Sequence, residues 1–207
     1  MSQYIEINPY SMNKDLLTEV VNALKNGKVI AYPTDSGYAL GCKVGLKKPL
    51  QQIKKIRNLD DNHNFTLICR DLSEIAQYAK VDNSAYRLLK RATPGGYTFI
   101  LSATSKVPGL MLNKSKKTVG IRVPAHPVPL MLSEALGEPL LSTTFILPNQ
   151  DSAFVYSEDF ANKPCAQMIN YILESDYCGY EPTTVIDMTK IPTAALRIGS
   201  GDVSIFE

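Results

Sequence analysis

Hydroxyl side chains gather at three places where this sequence passes from an apolar run to a polar one. Lys28 to Cys42 reads KVIAYPTDSGYALGC, in which the apolar Val29, Ile30, Ala31 and Tyr32, three of them β-branched or aromatic, meet Pro33 and then Thr34, Asp35, Ser36, Gly37 and Tyr38. Pro139 to Thr144, PLLSTT, repeats the arrangement with Ser142, Thr143 and Thr144, and Glu181 to Asp187, EPTTVID, repeats it with Thr183 and Thr184. Four cations stand at comparable places: Lys55 and Arg57 at a helix end, Arg122 in TVGIRVP, and Arg197 in AALRIG. Hydroxyls and cations without general bases suit the handling of phosphates and carboxylates, by positioning and charge neutralisation rather than by a nucleophile. No Ser-His-Asp order, no GxxxxGK[ST] and no GxGxxG occurs. Each feature also has a plainer reading: Ser, Asp and Gly form turns, cations favour helix C-termini, and a strand arginine can snorkel outward. Arg122 separates the two readings best. A charge in so apolar a run must be paired or face a cleft, which makes it a candidate anion binder.

The elements that must position these residues follow from periodicity. Tyr4-Ile5-Glu6-Ile7 alternates as a strand, and Asn13 is placed to cap a helix over 14–25 with Leu16, Leu17, Val20, Val21 and Leu24 on one stripe. Asn26-Gly27 ends that helix, and the next strand, over 28–32, is predicted to stop at Pro33, which has no N–H for a ladder. Further helices are predicted over 50–58, 72–78, 84–91, 128–136 and 165–175, and further strands over 65–69, 97–101, 118–124, 139–144, 183–187 and 195–199. Residues 149–163 read as a polar connection. Strand–helix–strand at the start predicts an α/β layout.

Bulk properties narrow the class. With 44% hydrophobic and 20% charged residues over 207, the chain reads as one globular domain rather than a disordered one. Neither a basic-then-apolar leader nor an apolar run long enough for a bilayer is present, so a cytoplasmic protein without membrane partners is expected. Cys42, Cys69, Cys165 and Cys178 are scattered and only His63 and His126 accompany them, which predicts reduced thiols and no metal site. The net charge of +2 hides an asymmetry: between Asp82 and Glu134 no acid occurs, against Arg87, Lys90, Arg91, Lys106, Lys114, Lys116, Lys117 and Arg122. Such a run suits an anionic partner, nucleotide phosphate or RNA backbone, or else is a solvated face compensated in space.

Taken together the motifs closely resemble those of the YrdC/YciO family, and its YciO branch in particular, over nearly the whole chain. The family's Pro-Thr strand end is Pro33-Thr34 with Tyr38-Ala39-Leu40-Gly41-Cys42 following, its Lys-x-Arg is Lys55-Ile56-Arg57, its Arg-Val-Pro is Arg122-Val123-Pro124, and its Pro-Ser-Thr-Val-Val-Asp segment is Pro182 to Asp187. The resemblance implies a single YrdC-like domain over 1–207: an open, twisted α/β sheet of mixed parallel and antiparallel strands, flanked by helices, with a basic concave cavity. It implies a threonylcarbamoyl-AMP synthase, joining L-threonine, bicarbonate and ATP with release of pyrophosphate, whose product feeds the t6A37 modification of tRNA. Thr34, Tyr38, Arg122 and Thr183 would meet threonine. Lys55, Arg57, Asn64, Thr118, Ser142 and Arg197 would hold the nucleotide, and Lys55, Arg57, Ser142 and Thr144 would be catalytic. Mg2+ would come with ATP, with no permanent cofactor, and tRNA or double-stranded RNA would be the macromolecular partner. The family's Ser-x-Asn is here Ser142-Thr143-Thr144, where a threonine offers one donor in place of an amide's two. His63 or Asn64 stands for the basic residue before the family's Pro-Leu pair, and Thr183 replaces a serine. The alternative is therefore a weakly catalytic or non-catalytic paralogue that binds nucleotide and double-stranded RNA.

Overall fold

The computed structural model describes residues 2–11, 13–60, 63–112, 117–175 and 178–206, so Lys114 and Lys116 of the basic run lie outside the described residues. Its elements are β1 (Gln3–Glu6), α1 (Lys14–Lys25), β2 (Ile30–Thr34), β3 (Gly37–Lys43), α2 (Lys47–Arg57), β4 (Thr66–Ile68), α3 (Leu72–Tyr78), α4 (Asn83–Ala92), β5 (Tyr97–Ser102), β6 (Thr118–Arg122), α5 (Pro127–Leu136), β7 (Leu140–Thr144), α6 (Glu158–Ala161), β8 (Tyr171–Glu174), β9 (Thr184–Asp187) and β10 (Ala194–Arg197). Capping follows the sequence closely. Asn13 accepts from Asp15 N at the start of α1, and Asp71 and Asp82 do the same for α3 and α4.

The strands form one open mixed sheet in the order β1-β8-β2-β3-β7-β4-β6-β5-β9-β10. β8 is parallel to both β1 and β2, β4 to β6, and β5 to β9, while the remaining pairs are antiparallel. Alternation along each strand divides the core in two. On one face α1 and α5, through Val20, Leu24, Val128 and Leu132, cover Ile30, Tyr32, Ile68 and Leu140. On the other, Ile53 and Ile56 of α2 join Leu67, Phe99, Ile121 and Leu141. Each such fully buried aliphatic side chain contributes about 1.5–3 kcal/mol. The α1/α5 cluster ends at β4, and from there the same face runs on over β6, β5 and β9 as the floor of a cavity.

Three sequence expectations change. β2 does not stop before Pro33 but runs to Thr34. Tyr38, opposite Pro33, directs its N–H to Phe154 O and its carbonyl to Phe145 N, so this pair exchanges no ladder bonds. β8 pairs only with Ile30 and Ala31, so the side on which Pro33 lacks its N–H carries no ladder either. Residues 165–175 hold a short 3-10 turn, Ala166–Met168, and then β8, not a helix. The segment is captured between β1 and β2, where Asn170 N donates to Val29 O and Asn170 Oδ1 accepts from Val29 N; sheet pairing overrides a local pattern that fits a helix. Within 149–163 the polar connection is pinned by Phe154 and Phe160, whose rings lie 4.9 and 4.7 Å from that of Phe145.

Candidate functional site

A cavity of about 270 Å³ collects the hydroxyls of all three strand ends. Thr34 and Ser36 come from the β2–β3 turn, Ser142, Thr143 and Thr144 from the end of β7, and Thr183 from the start of β9; Thr66 and Thr98 add two more from β4 and β5. Arg57, His63, Arg122 and Arg197 supply the basic groups, and among the described residues no Asp or Glu lines it. Gly120 on β6 keeps the floor low, since a Cβ there would lie 3.0 Å from Phe65 O and from Thr66 Oγ1.

Arg122 is buried and paired. Its Nη2 donates to the Asp35 carboxylate and its Nη1 to Ser36 Oγ at 2.7 Å, while Asp35 Oδ2 also accepts from Ala125 N at 3.1 Å. Burial lowers the guanidinium's pKa and the Asp35 charge opposes that. Its Nε is a buried donor with no hydrogen-bond acceptor. The turn that presents Asp35 and Ser36 is set by Thr34, whose hydroxyl donates to Gly37 O at 2.7 Å and accepts from Ser36 N at 3.0 Å. Gly37, at φ +94°, lets the chain reverse there, and its hydrogen faces Ala153 where a side chain would collide. Gly179 closes on the same turn, donating to Thr34 O at 2.7 Å.

Across the cavity Arg57, half-buried, is tied to β7 and the residues after it. Its Nε donates to Ile146 O at 2.9 Å and its Nη1 to Thr143 Oγ1 at 2.6 Å. His63 Nε2 meets the same hydroxyl at 3.1 Å. A guanidinium only donates, so Thr143 can pass its own hydrogen to a neutral His63; burial, with Arg57 beside it, pushes that imidazole down to about 4. Arg197 Nε donates to Thr183 O and its Nη2 to Thr183 Oγ1, both at 2.9 Å, and Thr98 Oγ1 lies 2.9 Å from the same hydroxyl.

The structure thus gathers Thr34, Tyr38, Arg57, Asn64, Arg122, Ser142, Thr144, Thr183 and Arg197 around one space. Two expected members stand apart from its lining: Lys55 is exposed on α2, and Thr118 lies on β6 two residues beyond Gly120. Tyr38 lines the cavity, but its hydroxyl donates to Leu173 O at 3.1 Å. Sequence reasoning missed Asp35 and Ser36 as partners of Arg122, and it missed the place of Thr143 and Thr98. Asp35 and Ser36 stood in the quoted motif and could have been found as the counter-charge that a buried arginine requires. Thr98 carried no local signal. Among the described residues no group of three or more His, Cys, Asp or Glu could hold a metal ion, the cysteines are free, and no helix is long and apolar enough to cross a membrane.

Comparison with known proteins adds to this geometry. The model of the Sua5/YciO/YrdC family, described as "Telomere recombination", matches residues 22–199. YciO of Escherichia coli (strain K12) is 46% identical over 206 residues, covering 100% of both chains. Its crystal structure superposes with a TM-score of 0.95 over 100% of both chains. A threonylcarbamoyl-AMP synthase of Vibrio vulnificus (strain YJ016) is 32% identical over 137 residues, 65% of this chain and 73% of its own. Sua5 of P. abyssi, in a crystal structure complexed with L-threonine, shares the fold at a TM-score of 0.84 and 22% identity, over 96% of this chain and 57% of its own.

Proposed function

The chain belongs to the Sua5/YciO/YrdC family, and from that premise we propose that it binds L-threonine and ATP in the hydroxyl- and arginine-lined cavity and joins them with bicarbonate into threonylcarbamoyl-AMP, releasing pyrophosphate. The observation that carries the reading is the make-up of the cavity wall: Arg57, Arg122 and Arg197, each fixed by hydrogen bonds, stand among eight Ser and Thr residues, with no Asp or Glu among the described lining residues. Fixed donors of one sign suit an anionic ligand. The threonine carboxylate fits that role, with Thr34 and Thr183 shaping the surroundings. Ser142 and Thr144 of β7, with Arg57 of α2 beside them, face the nucleotide, and Asn64 and Arg197 stand at the more exposed rim. The cavity falls just below the roughly 300–1,000 Å³ usual for small-ligand sites, so part of the nucleotide lies outside it. Mg2+ enters on the triphosphate as part of the substrate. Catalysis is then positioning and neutralisation of charge that builds on the phosphates as pyrophosphate leaves, and the product supplies the t6A37 modification of tRNA.

One observation favours a second reading, a nucleotide- and RNA-binding paralogue of little activity: Thr144 brings a single hydroxyl where the synthase motif has an amide. Incubation with ATP, Mg2+, bicarbonate and L-threonine separates the two. Pyrophosphate release that requires threonine and is lost in Arg57→Ala supports the synthase. ATP binding by calorimetry without release supports the paralogue, and neither binding nor release defeats both.

A further inference from the structure

Two of the three β7 hydroxyls have partners from outside the strand, and the one on Ser142 is Tyr32. Tyr32 is fully buried on the face covered by α1 and α5, and its phenol oxygen lies 2.6 Å from Ser142 Oγ. The two residues are not on neighbouring strands, because β3 runs between them. Gly41, the register partner of Ser142 on β3, makes the contact possible: a Cβ there would lie 2.7 Å from Tyr32 Cε1. The glycine lets the ring pass over β3 and reach the floor of the cavity.

The direction of this hydrogen bond follows from burial. Ser142 Oγ is the side-chain partner that the structure gives the phenol, and the distance alone lets either oxygen donate. If Ser142 donated instead, the phenol hydrogen would be left without an acceptor in an apolar core, which is costly. Burial also raises the Tyr32 pKa well above its usual value, so the phenol keeps its proton. The phenol therefore donates. Ser142 uses a lone pair toward Tyr32, and its own hydrogen is left to turn into the cavity that it lines.

We propose that Tyr32 is a positioning residue, which presents Ser142 to the cavity as a hydrogen-bond donor to an anionic oxygen of the bound nucleotide. The proposal rests on the reading of this cavity as an ATP site. Tyr32 touches no ligand itself; it acts through Ser142.

Calorimetric titration of the full chain with MgATP tests it, using Tyr32→Phe, Ser142→Ala, the double variant, and Ser133→Ala as control. Ser133 is a fully buried hydroxyl on α5 that bonds Leu130 O at 3.0 Å, and it does not line the cavity. Tyr32→Phe and Ser142→Ala are each expected to weaken ATP about 3- to 10-fold, the range of one hydrogen bond. The double variant is expected to bind no more weakly than Ser142→Ala, and Ser133→Ala to bind as the parent does. A Tyr32→Phe variant with unchanged affinity, or losses that multiply in the double variant, overturns the proposal. If the parent itself does not bind ATP, the ATP reading fails, and neutron diffraction of the unaltered protein tests the positioning alone. A proton on the phenol directed at Ser142 Oγ upholds it. A Ser142 proton directed at Tyr32 ends it, whatever the variants do.

Discussion

Tyr38 lines two cavities of opposite charge. The larger, about 430 Å³, is bordered by Glu6, Glu158 and Glu174 with Ser157, Ser175 and Cys178. The smaller, about 270 Å³, is bordered by Arg57, Arg122 and Arg197 with eight Ser and Thr residues. In the larger one Ser157 donates to Glu174 at 2.6 Å, and Tyr156 at its edge is 65% exposed. In the smaller one every arginine has a named partner, and those partners come from strand ends or the turns beside them. Volume therefore does not identify the site. Sign of charge and fixation of the charged groups do, because preorganised donors of one sign bind an anion without reorganising.

The sharpest way to break the contrast is to remove the charge on which the smaller cavity depends. Arg122→Ala leaves the Asp35 carboxylate, itself mostly buried, without its counter-ion. A loss of about 3–5 kcal/mol in urea-measured stability is expected, as for other buried pairs broken on one side. A loss under 1 kcal/mol would mean that Asp35 rehydrates and that the pair is no anchor.

A functional contrast comes next in size. Arg57→Ala is expected to weaken ATP about 10- to 100-fold by calorimetry, the range for charge-assisted hydrogen bonds. Glu174→Ala, across Tyr38, is expected to leave ATP affinity within about twofold, since it removes a charge that does not line the arginine cavity. Lys55→Ala, on the exposed surface of α2, belongs with it at about twofold or less, because an exposed cation is screened. Equal losses from Arg57 and Lys55 would place the triphosphate along the helix surface rather than in the cavity.

How much of this was legible in the sequence depended on whether a signal was local. α1 begins and ends where Asn13 and Asn26 suggested, because caps and an apolar stripe are written within one turn of each other. Arg122 was legible as a buried charge, since its neighbours in β6 are apolar, and the hydroxyl-rich strand ends were legible for the same reason. Residues 165–175 misled because Ile169, Ile172 and Leu173 fit a helix as readily as a strand. The deciding contacts, with Val29 of β2 and with β1, lie far away in the chain. Tyr32 was read as one more strand apolar. Its bond to Ser142 needs β3 between them and a glycine at 41, a coincidence of three strands that no window of sequence contains.

A pH effect sharpens the contrast within the cavity itself, between Arg57, which stays charged, and His63, which stays neutral beside it. Burial is the main cause that holds His63 at about 4; Arg57 and Lys54 push the same way and Asp60 opposes them. In the unfolded chain the imidazole takes its proton near 6.5. Above 6.5 both states are neutral there and its contribution to stability is fully present. Between 6.5 and about 4 the unfolded state binds a proton that the folded state refuses, so stability falls as the pH falls through that window. With allowance for partial exposure the loss is roughly 1–2 kcal/mol. His63→Gln keeps a polar group that can meet Thr143 but does not titrate. Its stability curve, from thermal unfolding at pH 4 to 7, is expected to be flatter than the parent's by that amount, with carboxylate titrations common to both. Parallel curves would show that His63 is as accessible to protons folded as unfolded, and that the Arg57–Thr143–His63 arrangement does not exclude water.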